Sequence, residues 1–304
     1  MHTNWFVRRG LHAAFLLFAV SALSFLMARI APGSFFDDLS LNPQIQPETI
    51  AKLRLRYGVD SPFPQRYALW LASAARGDFG NSLAYHRPVA EILWPRAQST
   101  LALTAGALAL AWLLALPLAM LCAACPRSLP GHFGTAVSTV LMAIPELLLA
   151  LGLLYIVVKA GLPALIGGLA MPLAVLAAGA FPVLFTHARA ALEDASDTSY
   201  IRAARAHGIR GARLWFYFIL PAAANPLISL FGVSVGGLIG ASLVVETVLS
   251  RPGLGPLFLE AISTRDPDIV TAVMLLSAVF AIAGNLLADI LHGICDPRIR
   301  NAVP

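Results

Sequence analysis

Charge is scarce in this sequence. Only 12% of its 304 residues are Asp, Glu, Lys or Arg, against roughly a quarter in soluble domains. That is too little to clothe a water-facing globule of this length. Lysine is scarcer still, with Lys52 followed by Leu53 and Lys159 by Ala160. A phosphate-binding P-loop needs Lys directly before Ser or Thr, so the chain has no such loop, and any energy source must be a partner or an ion gradient. Cysteine excludes more than it suggests. Cys122 and Cys125 form a C-x-x-C at the end of an apolar run, with no second pair or nearby histidine to complete a zinc site, and Cys295 stands alone. No disulfide framework and no metal centre is expected. H-E-x-x-H is absent, which removes the zinc proteases. Ser234 and Ser242 lie in an apolar run, but every histidine falls at a run's end or between runs. No nucleophile–base pair can be assembled, and the chain is expected not to be an enzyme.

What is present is hydrocarbon. Hydrophobic residues make up 58% of the chain and the mean hydropathy is +0.76. The bilayer is the solvent that fits this composition. A net charge of +5 would suggest nucleic acid in a soluble protein. Here the arginines lie mostly between apolar runs, which favours orientation and docking roles, and no nucleic-acid partner is expected.

The apolar runs are Leu11–Ala28, Ser99–Ala123, Thr135–Val158, Leu162–Thr186, Leu227–Leu249 and Ile269–Ile290. About 20 apolar residues cross a bilayer core, so six membrane spans are predicted. Pro117, Pro145, Pro172 and Pro182 fall inside them, and kinked helices are tolerated in membranes where neighbours satisfy the freed carbonyls. The first run follows Arg8-Arg9 and is long for a signal-peptide centre, so it reads as a retained helix with a cytoplasmic N-terminus. Six crossings return the C-terminus to that side. Arg127, Arg202, Arg205, Arg210, Arg213, Arg298 and Arg300 then fall there too, as the positive-inside rule asks. Between the first two spans, Ala31–Arg96 is punctuated by Pro, Gly and Asn and carries helical spacing over Pro47–Tyr57 and Gln65–Ala75. It reads as a small extracytoplasmic subdomain. The expected divisions are an N-terminal transmembrane helix (1–30), this subdomain (31–97), a five-helix core (98–295) with a cytoplasmic loop at 187–221, and a cytoplasmic tail (296–304).

Ionisable groups inside membrane spans are costly and default to functional hypotheses. Glu146, after Pro145 in the third span, is the most deeply placed. Two readings stand for it: a wall of a translocation path that contacts a substrate amine, or a partner for a neighbouring subunit or a wet cavity. Glu246, and Asp289 with Asn285 one turn before it, read as structural hydrogen-bonding groups.

Tyr200–Pro221, YIRAARAHGIRGARLWFYFILP, is an arginine-rich island between two apolar runs. Ala203, Ala204 and Gly208 are small enough for close approach of another protein, and Gly208 suits a bend or helix cap. Tyr200, Ile201, Ala204 and Gly208 fall near one helical face, with Arg202, Arg205 and Arg213 elsewhere. Spacing alone supports two readings equally: a helix seated in a protein groove, and a basic helix on an anionic membrane surface.

Ala203-Ala204-x-x-x-Gly208, closed by Leu220-Pro221, resembles the cytoplasmic loop motif of ABC importer permeases, E-A-A-x-x-x-G followed by I-x-L-P. Arg202 stands where the glutamate is usual and Phe218 where isoleucine is usual. Other segments resemble the dipeptide/oligopeptide/nickel branch of that family, in collinear order. They are Arg8-Arg9, Ala28–Gly33 (ARIAPG), Tyr57–Pro62 (YGVDSP), Gly77–Ser82 (GDFGNS), Arg87–Val89 (RPV), Val245–Gly255 (VETVLSRPGLG) and Asp296–Arg300 (DPRIR). The long first outer segment resembles the B-type permease of the pair, and the interval between the third and fourth spans is shorter than usual.

The resemblance implies an all-α integral membrane protein of the type I ABC importer permease fold in a bacterial inner membrane. It further implies pairing with a second homologous permease to form the translocation pathway. Two ABC ATPase subunits would bind ATP and Mg, and an extracytoplasmic binding protein would deliver substrate. Carried onto this chain, the ATPase-coupling residues are Ala203, Ala204 and Gly208, flanked by Arg202, Arg205, His207 and Arg210. The implied cargo is a di- or oligopeptide, with nickel or another small solute the alternative inside the family. Outside it, the rival is an ion-coupled secondary transporter using Glu146, Glu246 or Asp289, a class that often shows inverted repeats. None is evident here.

Overall fold

The structure is a computed structural model, and it describes residues 2–30, 35, 40, 46–56, 62–125, 129–162, 165 and 167–295. Residues 296–304, 126–128 and 57–61 and most of 31–45 lie outside the described residues, including DPRIR and most of YGVDSP. Secondary structure among the described residues is helical apart from one isolated β-bridge, Asn81 with Pro88. The helices are α1 (His2–Ile30), α2 (Pro47–Arg56), α3 (Phe63–Ala74), α4 (Val89–Ala124), α5 (Leu129–Ala143), α6 (Glu146–Lys159) and α7 (Ala170–Ser196). They continue with α8 (Ser199–Ala206), α9 (Gly211–Leu214), α10 (Leu220–Ala222), α11 (Ala224–Val248), α12 (Leu254–Ser263) and α13 (Pro267–Cys295).

Five helices have the length and apolarity to cross a membrane, at Val7–Ala28, Val89–Ala124, Ala170–Ser196, Ala224–Val248 and Pro267–Cys295. A sixth crossing is made if α5 and α6, which meet at 102°, form one broken span. The sequence places a single helix over Thr135–Val158, and the break falls at Pro145. Proline offers no N–H to the preceding turn and disfavours the helical region for the residue before it; Pro145 sits at φ −56°, ψ 142° as the N-cap of α6. Two other spans are displaced from expectation. α4 starts at Val89 rather than Ser99 and runs 36 residues, about 54 Å at 1.5 Å per residue. α7 begins and ends more than two turns later than Leu162–Thr186, so Arg189 and Glu193 are helical rather than part of a loop.

The chain forms two compact units. One comprises 1–6, 101–251 and 280–304. Its core is built on a stripe of small residues along α4, with Ala107, Ala111, Ala115, Ala119 and Cys122 all fully buried. The spacing of three or four residues puts them on one face, and small side chains let helices approach closely in lipid. Phe181, Leu184, Phe185, Ala188 and Leu192 of α7 join this core. α7 also packs on α5, α6 and α11. α11 and α13 are closer still: a Cβ on Gly232 would lie 2.7 Å from Ala288 Cβ, and one on Gly284 would collide with Val235. Asn285 lies in this seam, its Oδ1 3.2 Å from the same position on Gly232.

The other unit comprises 7–100 and 252–279. α3 is held against α1 by Tyr67, whose hydroxyl lies 2.9 Å from Ser21 Oγ and donates to Phe18 O at 3.3 Å. Phe25, Tyr67 and Trp70 form the buried cluster between them, with Arg66 over the Phe25 ring at 5.6 Å. The segment before α4 is closed around Asp266. This buried carboxylate accepts from Ser82 Oγ, Leu83 N and Ala84 N at 2.7, 2.8 and 3.2 Å. α12 occupies what reads in the sequence as a plain loop, and Leu254 N donates to Thr100 Oγ1 at 2.9 Å.

Candidate functional site

α8 is only eight residues long, so isolated helicity is negligible and tertiary contacts hold it. Ile201 is fully buried and Ala204 is 6% exposed, both packed into the core of α4 and α7. The helix ends in a Schellman motif. Gly208 N donates to Arg205 O at 3.0 Å and Ile209 N to Ala204 O at 3.1 Å, with Gly208 at φ 80°. Only glycine takes that conformation without penalty, and Ile209 then packs on the same core.

Of the sequence-selected residues here, Arg202, Ala203, Arg205, His207, Gly208 and Arg210 are exposed, and Ala204 faces inward. Tyr200, grouped with Ile201 and Ala204 by helical spacing, is 59% exposed. The structure therefore turns one face of α8 into an anchor and the opposite one outward. Arg202, Arg205, Arg210 and Arg213 make no ion pair among the described residues. Beyond α9, Trp215–Ile219 forms a π-helical turn that leads into Leu220-Pro221. Ile219 and Leu214 point into the core, whereas Phe216 and Tyr217 are 59% and 75% exposed. π-turns are rare and concentrate at functional sites. Sequence periodicity does not reveal this one, because the extra residue shifts the helical register only locally.

A second feature of the same unit is a cavity of about 610 Å³ between α5 and α7. Thr135, Ser138 and Thr139 line it from α5, and Thr186, Arg189 and Glu193 from α7. Arg189 donates through Nε to Glu193 Oε1 at 2.7 Å and through Nη1 to Thr135 Oγ1 at 2.8 Å. Ser138 and Thr186 share a hydrogen bond of 3.2 Å. Its α5 wall ends at Met142 and Ala143, the last residues before the break, and Glu146 opens α6 just beyond. The Glu146 side chain packs against α7: a Cβ at Gly179 would be 2.8 Å from its Oε1. Sequence reasoning selected Glu146 but not the groove, whose polar residues are scattered over two helices.

The remaining intramembrane polar groups lie apart from this groove. Glu246 is fully buried in α11 and its carbonyl accepts from Arg251 N at 2.8 Å. Asp289 is half-buried in α13, whose last turns carry His292, hydrogen-bonded to Ser229 Oγ at 3.0 Å.

Residues 115–301 match the family described as binding-protein-dependent transport system inner membrane component, and residues 2–104 match its N-terminal companion family. The chain belongs to this family of transport permeases. The oligopeptide transport system permease protein AppB of Bacillus subtilis (strain 168) is 32% identical over 97% of this chain and 99% of its own length. The glutathione transport system permease protein GsiC of Escherichia coli (strain K12) is 29% identical over 98% and 99%. Among solved structures, a chain of the MetNI methionine ABC transporter in inward-facing conformations superimposes with a TM-score of 0.55. It is 21% identical, over 66% of this chain and 96% of that one. That likeness carries the fold. The permease is thus a multi-pass membrane transport subunit with an importer-type helical fold.

Proposed function

We infer that this permease is half of the translocation pathway of an ATP-driven importer for di- or oligopeptides. A second, homologous permease supplies the other half, two ATPase subunits bind ATP and Mg, and an extracytoplasmic protein delivers the solute. Both termini and the α8–α9 loop then face the cytoplasm. The observation that carries the coupling role is the division of α8 into two faces. Ile201 and Ala204 tie it to the helix core, while Arg202, Ala203, Arg205 and His207 face outward. A partner that moves α8 must therefore move α4 and α7 with it. Arg202 stands where the family's usual residue is acidic, so the charged residues of the exposed face are all basic and suit an acidic rim on the ATPase groove. The names of the relatives, oligopeptide and glutathione permeases, support a peptide cargo.

The test is uptake of labelled peptide into proteoliposomes holding the complete complex, with and without ATP. Uptake that requires ATP and the ATPase subunits supports this reading, and uptake that persists without them replaces it with ion-coupled transport. Gly208→Asp is expected to prevent co-purification of the ATPases while membrane insertion is retained.

A further inference from the structure

We propose that the α5–α7 groove and Glu146 together form the strip of this chain that contacts the solute, with Glu146 taking a protonated amine. The proposal rests on the peptide-importer reading and names the chemistry of that pathway. Polar groups within membrane spans are expensive unless they face protein or a wet cavity, and this groove concentrates them. Their hydrogen bonding has a sign. Thr135 Oγ1 donates to Gly131 O and Thr139 Oγ1 to Thr135 O, both at 2.9 Å. With their single protons used inside α5, these hydroxyls offer only lone pairs outward. Thr139 Oγ1 and the remaining lone pair of Thr135 Oγ1 thus present acceptors for ligand N–H groups, while the Arg189 N–H groups not spent on Glu193 and Thr135 suit carbonyl oxygens of the same ligand.

Charge points the same way. Arg189 and Glu193 neutralise each other at 2.7 Å. Glu146 makes no hydrogen bond or ion pair among the described residues, so its carboxyl group has its hydrogen-bonding capacity unspent. Gly179 gives it its place, because any larger residue there would meet Oε1 at 2.8 Å and Cγ at 3.0 Å. From Gly179 to Thr186 is two turns of α7, about 10 Å, which an extended chain covers in about three residues. The cavity volume of about 610 Å³ lies within the range of about 300–1,000 Å³ of small-ligand sites. An ammonium on Glu146, with peptide N–H groups along Thr139 and Thr186, satisfies both charge and acceptors. A charge-assisted bond of this kind is short and strong where water is scarce.

The experiment uses the complete complex in proteoliposomes and a labelled tripeptide with a free amine. Glu146→Gln is expected to cut ATP-dependent uptake by about tenfold or more, while Glu146→Asp keeps most of it and the ATPases co-purify with both. Unchanged uptake in Glu146→Gln, or equal loss in Glu146→Asp, overturns the proposal. Independently, Thr139→Cys, in a chain whose Cys122, Cys125 and Cys295 are changed to Ser, is expected to react with a water-soluble methanethiosulfonate and to be protected by the peptide. A thiol that never reacts shows the face covered by the second permease or by lipid, and overturns it too. A wild-type complex that takes up no peptide overturns the importer reading itself, and is told apart because the failure precedes any substitution.

Discussion

Ser82 Oγ donates a hydrogen bond of 2.7 Å to Asp266 Oδ2, across 184 residues of sequence. Both side chains are fully buried. Leu83 N and Ala84 N converge on the same oxygen, and Oδ1 accepts from Ile269 N at 3.4 Å at the start of α13. One carboxylate therefore closes the turn before α4 and caps α13.

Asp266→Ala is expected to lower the stability of the purified chain by about 2–4 kcal/mol, since it strands a hydroxyl and two N–H groups in a buried site. Ser82→Ala removes one donor and is expected to cost about 1–2 kcal/mol. Thermal melting in detergent checks both, and the ordering of the two losses is the prediction.

Ile201→Ala is expected to destabilise by about 2–4 kcal/mol through the cavity it leaves in the core. Arg202→Ala, on the opposite face, is expected to leave melting within about 0.5 kcal/mol while weakening ATPase co-purification. If the two variants behave alike in melting and co-purification, the two-faced role of α8 is wrong.

Gly284→Leu is expected to prevent normal packing of α11 on α13, because even a Cβ there collides with Val235. Gly284→Leu with Val235→Ala is expected to recover part of the loss, since the obstructing side chain is then removed. Protein yield and melting temperature of the single and double variants measure the recovery.

Tyr85 lies outside the spans, and its phenol is pushed from 10.0 up to about 12, first by burial and then by its hydrogen bond to Glu260. An unfolded chain ionises this group at 10.0, so Tyr85 favours the folded state fully below that pH and loses the contribution as pH rises to about 12. Spectrophotometric titration is expected to show one late phenol that disappears in Tyr85→Phe, and the variant's stability is expected to fall less steeply over that window.

Much of the architecture is local and was therefore readable. α11 and α13 match their apolar runs to within a few residues, because length and hydropathy alone determine whether a segment can satisfy its backbone in lipid. α2 and α3 follow the periodicity of Pro47–Tyr57 and Gln65–Ala75. The ends of α4 and α7 were not readable in this way, because hydropathy marks what lies in hydrocarbon while a helix continues into water wherever its own bonds and contacts allow. The break at Pro145 was legible as a proline, but its 102° angle depends on how α5 and α6 each pack on α7.

Composition settled that the chain lives in a bilayer, and the order of its motifs settled its family. Both are properties of residues near one another along the chain. Which side of α8 is turned inward, that Asp266 reaches Ser82, and that Glu146 rests on Gly179 were decided only in three dimensions. Each joins residues distant in sequence, and small-residue packing of helices gives such pairs no periodic signature in either partner.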